Sequence, residues 1–266
     1  MTRQVGRCEV CGRVGLMIYR RRVIPPELAR RWGLSERVAR AVARKESMEC
    51  SRCGAKLRGR RLAQVLLDLF PVGLPAKRAG SVADWVKSLE ANRLQIAEIN
   101  RVEGLHDALL GLARFEPSDF LEGAEPGAIV GGVRHEDLIR LTYADASFDL
   151  VITSETLEHV PDLAAALGEI RRVLAPGGRH VFTVPILPGV PTTFARASLG
   201  DDGTKVDLAP PIFHPGGDVG YPVFAEFGAD FPEIVRAAGF EVEVEFGPTT
   251  EDDVAQIYVA RKSPGG

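Results

Sequence analysis

Residues 148–185 read FDLVITSETLEHVPDLAAALGEIRRVLAPGGRHVFTVP, and this stretch restricts the fold more than any other. Two short apolar runs, FDLVITS and RHVFTVP, flank an amphipathic helical pattern that Pro176, Gly177 and Gly178 are expected to close. Runs apolar at nearly every position suit strands covered on both faces, and a helix between two of them suits a parallel crossover. The alternation of helices and short apolar runs starts near residue 82 and continues to FPEIVRAAGFEVEVEFG and DVAQIYVARK, read as a helix and two further strands. The expected class is α/β, with a mostly parallel sheet between helical layers.

The front of the chain follows other rules. CEVCG and CSRCG place Cys8, Cys11, Cys50 and Cys53 in two CxxCG knuckles. Each knuckle lets two thiolates face one ion, with a glycine for the tight turn behind them, and two knuckles complete a tetrahedral S4 set suited to structural Zn2+. Charge is segregated too: residues 1–79 carry 19 Lys and Arg against 6 Asp and Glu, and the remainder carries 14 against 30. Two modules of opposite sign are expected, which dock on each other or leave the basic one to an anionic partner. Between the knuckles, PPELARRWGLSERVARAVARKE reads as two short helices, with Gly33 ending the first and Ser35 capping the second. Leu28, Trp32, Leu34, Ala39 and Val42 also fit a helix-turn-helix, with Arg37, Arg40, Arg44 and Lys45 on its second helix; plain packing on a zinc ribbon fits better. RRLAQVLLDLF sets Leu62, Val65, Leu66, Leu69 and Phe70 on one helical face. The boundaries follow: a basic zinc module over 1–72, a linker over 73–84, and a second domain over 85–266.

The N-terminus lacks the apolar stretch of a secretion signal and no run reaches the roughly 18 apolar residues of a membrane span, so a cytoplasmic protein is expected. In that compartment paired cysteines point to metal rather than disulfides.

Residues 136–185 resemble the central half of a class I S-adenosylmethionine-dependent methyltransferase (type 11-like): an acid, a Leu four residues on, Asp145-Ala-Ser-Phe-Asp149, LEHV-x-D, then RVL-x-PGG. The whole chain resembles bacterial proteins in which a two-knuckle zinc module precedes such a domain. The resemblance implies a Rossmann-like methyltransferase domain behind a small zinc-ribbon-like module, with S-adenosylmethionine as cofactor. In QIAEINRVEGLHDAL it implies that Glu98 is the acid ending the first strand and Gly104 the last of three alternate glycines. Asn100 and Val102 replace the other two; Asn tolerates positive φ, whereas Val would not. It further implies Asp119 for the ribose hydroxyls, Phe120 against the adenine, Asp137 and Leu138 for the adenine edge, and Ser154 at the rim of the site.

Catalytic candidates are Glu155 and His159, with His214 in the Gly/Pro-rich segment PPIFHPGGDVGYP. Glu155, Glu158 and His159 share one face if their segment is helical, where they could hold the loop, act as base or substrate contact, or ligate a metal. ILPGVPTTFARASLGDDGTKVDLAPP, without periodicity, is expected to cover the substrate. Three functions fit: O-methylation of a small-molecule or glycan-type acceptor, methylation of RNA delivered by the basic module, or ligand binding without turnover.

Overall fold

The structure is a computed structural model that describes residues 2–19, 26–31, 33–73, 79–186, 189–200, 202–214, 220–247 and 254–263. Trp32 lies outside them, as does the middle of the expected linker.

The chain opens with β1 (Thr2–Arg7), β2 (Val14–Tyr19), α1 (Pro26–Arg31), α2 (Glu36–Ser47), β3 (Glu49–Cys50) and α3 (Leu57–Leu69). The short α4 (Val82–Trp85) leads into β4 (Ile96–Ile99), α5 (Leu105–Leu109), β5 (Phe115–Asp119), β6 (Ile129–Val130), β7 (Val133–His135) and β8 (Phe148–Ser154). After a single turn of tight helix come α6 (Leu163–Val173) and β9 (Leu174–Thr183). Three small pairings follow: β10 (Phe194–Ala195) with β15 (Ala225–Glu226), β11 (Ala197–Leu199) with β12 (Lys205–Asp207), and β13 (Phe213–His214) with β14 (Tyr221–Pro222). The chain ends in α7 (Phe231–Ala237), β16 (Phe240–Glu245) and β17 (Ile257–Lys262).

Eight strands form one sheet in the order β16-β17-β9-β8-β4-β5-β7-β6. The central pairs are parallel and antiparallel strands stand at both edges. The two runs flanking the central helix are indeed adjacent and parallel, with Leu150 opposite Arg179 and Ser154 opposite Thr183. α6 stops at Val173, earlier than its apolar pattern suggests, and Pro176–Gly178 belongs to the irregular start of β9. Gly178 is held there because a Cβ would lie 2.8 Å from the Ala175 carbonyl oxygen.

The sheet has two cores. Ala97, Val151, Phe182 and Tyr258 face α6 and α7, meeting Leu167, Ile170, Phe231 and Val235. Ile96, Leu150, Ile152, Val181, Ile257 and Val259 face the other way, onto Leu62, Val65 and Leu66 of α3 and onto Trp85 and Leu105. That second core runs on without a break to Cys8, Val10, Met17 and Met48. The N-terminal residues thus form the helical layer of this face, and the core crosses the boundary expected at 73–84. At the roughly 1.5–3 kcal/mol of a buried aliphatic side chain, the few residues α3 contributes matter to the whole domain's stability. Trp85 fastens the junction, its indole N–H donating to the Phe70 carbonyl at 2.8 Å.

Gly33 takes φ +63° after α1, and the Ser35 hydroxyl caps α2 by accepting from Val38 N. α2 turns Arg44 and Lys45 inward, at 8% and 5% exposure. Among the described residues, no helix is long and apolar enough to cross a membrane.

Candidate functional site

The carboxyl ends of β4, β5, β7 and β8 line up at one edge of the sheet, where a doubly wound fold binds its ligand. β4 ends at Ile99, and Asn100 takes φ +63°, the left-handed turn a glycine would otherwise supply. The side chain of Asn100 does more than a glycine could: its Oδ1 accepts from Phe120 N at 2.9 Å and so ties the turn to the end of β5. Asp119 Oδ1 accepts from Arg101 N at 2.8 Å, a second tie between the same segments.

Val102 is accommodated because positive φ is not required there; Asn100, Ala146 and Glu155 are the non-glycine residues with positive φ among those described. Its side chain is 1% exposed and lies against Gly59 of α3. Gly104, at φ +75°, caps α5, and a Cβ on it would lie 2.6 Å from the backbone of Ala55, directly behind the second cysteine knuckle. The N-terminal layer therefore backs this turn at both Val102 and Gly104.

Glu98 is fully buried and both its oxygens are used internally: Oε1 accepts from Val102 N at 3.2 Å and Oε2 accepts from His106 Nδ1. Burial pushes its carboxyl above the usual range, against the pull of His106. Glu98 thus braces the turn and α5. Among the rim residues, Asp119 is half-buried, and Phe120 is 55% exposed with its ring edge-on to His135, 5.3 Å between centroids. Asp137 is half-buried with Oδ1 accepting from Ile139 N, and Leu138 is buried beside it. Ser154 shares a hydrogen bond of 2.9 Å with the Thr183 hydroxyl.

Comparison with known proteins agrees with this geometry. Residues 118–182, running from the end of β5 to β9, match the model of the methyltransferase domain family. This is a class I methyltransferase fold. The chain is similar to a probable S-adenosylmethionine-dependent methyltransferase of Mycolicibacterium smegmatis, 30% identical over 118 residues, 43% of this chain and 37% of that protein. It is also similar to the 27-O-demethylrifamycin SV methyltransferase of Amycolatopsis mediterranei, 32% identical over 123 residues, 46% of this chain and 38% of that one. The matched segments thus span less than two fifths of these relatives' lengths. Among solved structures, an S-adenosylmethionine-dependent methyltransferase from Mesorhizobium loti aligns at TM-score 0.43 and 20% identity, covering 68% of this chain and 98% of that one.

Beyond Ser154 the methyltransferase fold here carries a buried cluster of ionisable groups. The segment from Glu155 to His159 is not a regular helix: Glu155 takes φ +49°, and Leu157–His159 form one tight turn. Glu155 therefore parts from the other two, whereas Glu158 Oε1 and His159 Nε2 stay 3.5 Å apart. Glu155 turns to the N-terminal layer, where Lys45 Nζ donates to its Oε2 at 3.1 Å, the lysine buried and the carboxylate mostly so. Burial pushes the Glu155 carboxyl up, but Lys45 and Arg58 outweigh it and hold the group below its usual range. Glu158 is wholly buried, and neither oxygen has a hydrogen-bond partner among the described residues. Burial, and then the charge of Glu155, raises its carboxyl well above the usual value.

His159 donates from Nδ1 to the Pro222 carbonyl at 2.8 Å, which leaves Nε2 facing His214 Nδ1 at 3.2 Å. Burial lowers both imidazoles below their usual value. The Gly/Pro-rich segment PPIFHPGGDVGYP brings His214, Tyr221 and Pro222 to His159, with the Tyr221 ring 5.9 Å away. The structure thus brings His159 and His214 together and assigns Glu155 to a different contact. Sequence reading missed Lys45, Arg58 and His106 as members of this machinery: the first two meet Glu155 and Glu103 at separations of 110 and 45 residues, and His106 meets Glu98 only because the chain turns between them.

The four cysteines converge as well. Cys8 and Cys53 sulfurs lie 3.7 Å apart and Cys11 and Cys50 sulfurs 4.0 Å apart, close to the ~3.8 Å edge of a tetrahedron with 2.3 Å metal–sulfur bonds. The two knuckles repeat one geometry. Gly12 and Gly54 both take φ +72°, and each donates its N–H to the first cysteine's carbonyl at 2.8 Å. Burial pushes the Cys8 thiol up to about 11, whereas at Cys50 burial is outweighed by hydrogen bonds from the second knuckle's backbone and neighbouring thiols, which bring it down.

Proposed function

We propose that this protein transfers a methyl group from S-adenosylmethionine to an oxygen of a small-molecule or glycan-type acceptor. The reading is carried by the turn from Glu98 to Gly104 and its two ties to the end of β5. Asn100 and Gly104 supply the positive φ that lets backbone approach the methionine portion. Asp119 keeps Oδ2 for the ribose hydroxyls, Phe120 offers an exposed ring for the adenine, and Asp137 and Leu138 address its edge. The bound cofactor supplies an electrophilic methyl on a sulfonium.

What the chain's own residues do is position the acceptor and take its proton. His159 is suited to that task, since its tautomer is set by Pro222 and Nε2 is left as an acceptor at the edge of the site. His214 stands beside it as the second candidate, while Glu155 acts through Lys45 in holding the loop. The cysteine set holds structural Zn2+, closed by four protein ligands and without a chemical step of its own. The burial of Arg44 and Lys45 in α2 speaks against a nucleic-acid face on that helix, and small acceptors fit the covered site better.

Calorimetry with S-adenosylhomocysteine tests the reading. Asp119→Asn keeps an acceptor for Arg101 N but loses the charge, and tenfold to hundredfold weaker binding is expected at about 1.5–3 kcal/mol per charged hydrogen bond. Wild-type protein that binds neither this ligand nor S-adenosylmethionine, or an Asp119→Asn variant that binds as tightly as wild type, refutes it.

A further inference from the structure

Glu158, His159 and His214 carry an inference of their own. Three donor atoms from two separate segments converge on one point: His159 Nε2 and His214 Nδ1 are 3.2 Å apart, and Glu158 Oε1 lies 3.5 Å from the first and 3.6 Å from the second. Ligands at about 2.1 Å from a common ion stand about 3.0 Å apart in octahedral and 3.4 Å apart in tetrahedral sites. The triangle has that size.

The hydrogen-bond inventory makes the same point. His159 Nδ1 must carry its proton to donate to Pro222 O, so neutral His159 presents a bare lone pair at Nε2. If His214 donates to that lone pair, both imidazoles are satisfied, but Glu158 is left buried with no hydrogen bond to either oxygen among the described residues. A protonated Glu158 does not solve this, because 3.5 and 3.6 Å exceed hydrogen-bond length. Leaving such a group unpaired is costly, and one cation at the centre satisfies all three atoms at once. The backbone holds the arrangement: Phe224 N donates to the Glu158 carbonyl at 2.8 Å, next to the Pro222 carbonyl that orients His159. Lys45 and Arg58 act electrostatically on Glu158 and His214, so they oppose a cation there, but the carboxylates of Glu155, Glu46 and Glu103 pair with them and offset that charge.

We propose that Glu158, His159 and His214 form a second metal site, distinct from the cysteine set, that binds one divalent transition ion. Two imidazoles and one carboxylate select an ion of the Zn2+, Co2+, Mn2+ or Fe2+ type over Mg2+. Three protein ligands leave at least one position open, as in catalytic rather than structural sites. The ligand set differs from a helical Glu-x-x-Glu-His face, because Glu155 is committed to Lys45 and the third ligand comes from the covering segment. The site's purpose, to hold and polarise an acceptor oxygen, rests on the methyl-transfer reading and with the ion bound replaces His159 and His214 as base, since their lone pairs are then on the metal; its existence does not rest on that reading.

The test uses the full-length protein with its cysteine set loaded with zinc and loosely held ions removed by a weak chelator. Titration with Co2+ is followed by calorimetry and by the visible absorption of the ion. Wild type is expected to take up one further Co2+ per chain, with a d–d band free of thiolate charge transfer, and to discriminate against Mg2+. His214→Ala, on a half-exposed residue of a short hairpin, is expected to weaken uptake at least tenfold while keeping one zinc per chain and the wild-type melting profile. Glu158→Gln is expected to do the same. No uptake beyond the cysteine-bound ion overturns the site, as does undiminished uptake by a folded His214→Ala protein. Cofactor calorimetry on the same samples keeps this outcome separate from failure of the methyltransferase reading.

Discussion

Val102 offers the sharpest test of how the cofactor turn is built. The family pattern has glycine at this position, so restoring it would be expected to help the turn. The structure implies the reverse. Val102 has no positive φ to relieve, and its buried side chain fills the space over Gly59. Val102→Gly removes a buried aliphatic side chain, costing about 1.5–3 kcal/mol, and adds about 0.5–1 kcal/mol of backbone entropy, so about 2–4 kcal/mol in all. For a chain of this size that lowers the melting temperature by on the order of 5–10 °C. S-adenosylhomocysteine affinity is expected to fall as well, because the donor that Glu98 holds sits on the loosened residue. Asn100→Gly is the control. It keeps φ +63° at no cost and loses one hydrogen bond to Phe120, so a change within about 1 kcal/mol is expected. Differential scanning calorimetry and ligand titration on both variants decide the matter. A Val102→Gly protein as stable as wild type, or one that binds the ligand more tightly, refutes the account of the turn.

Three further outcomes follow from the buried charges and the cysteine set. Lys45→Ala removes the hydrogen-bonded cation of Glu155 and leaves Arg58 to act on it alone, so urea unfolding should register a loss of about 2–3 kcal/mol, below the roughly 3–5 kcal/mol of a fully orphaned buried charge; a loss below about 1 kcal/mol would refute the role given to Lys45. His180 is wholly buried and burial pushes its imidazole down to about 3, so it stays neutral in the fold while the unfolded chain takes up a proton below about 6.5. Stability from this group is therefore lost as pH falls, by about 2 kcal/mol between pH 7 and pH 5, and His180→Phe should unfold with that much less pH dependence. His159 and His214 act with the same sign, so some slope should persist in the variant. With the proposed zinc in the cysteine set, a strong chelator should lower S-adenosylhomocysteine affinity together with the melting temperature, because Ala55 behind the second knuckle abuts Gly104 of the proposed cofactor turn; unchanged affinity in chelated protein would separate the two.

The strands were legible because burial on both faces leaves no room for polar residues, as Ile152 and Val181 illustrate, each at 0% exposure. The apolar stripe of α3 was equally plain, but a stripe says only that a helix is covered and not by what. Hence the helix read as part of a separate module proves to be a layer of the main sheet. Side-chain pairs were harder still. His106 answers Glu98 across a strand-to-helix turn, where neither element's period applies, and Lys45 answers Glu155 from 110 residues away, where no periodicity carries information. His214 sits in a segment without regular pattern, so its meeting with His159 follows from the path of the covering loop alone.

One long-range signal did survive in the sequence, the segregation of charge between the front of the chain and the rest. The structure shows how part of it is used: Lys45 meets Glu155, and Lys56 and Arg58 meet Glu103 beside the cofactor turn. Of the two explanations that the imbalance allows, docking of the basic segment on the acidic one accounts for these cations without any outside partner. They are placed where docking also stiffens the site, since Glu103 and Glu155 each lie next to a residue that shapes it, Gly104 in one case and Ser154 in the other. The opposite charges of the two parts therefore belong to the construction of the proposed site, and removing one of these cations should loosen the turn from Glu98 to Gly104 or the segment from Glu155 to His159 before it unfolds the sheet.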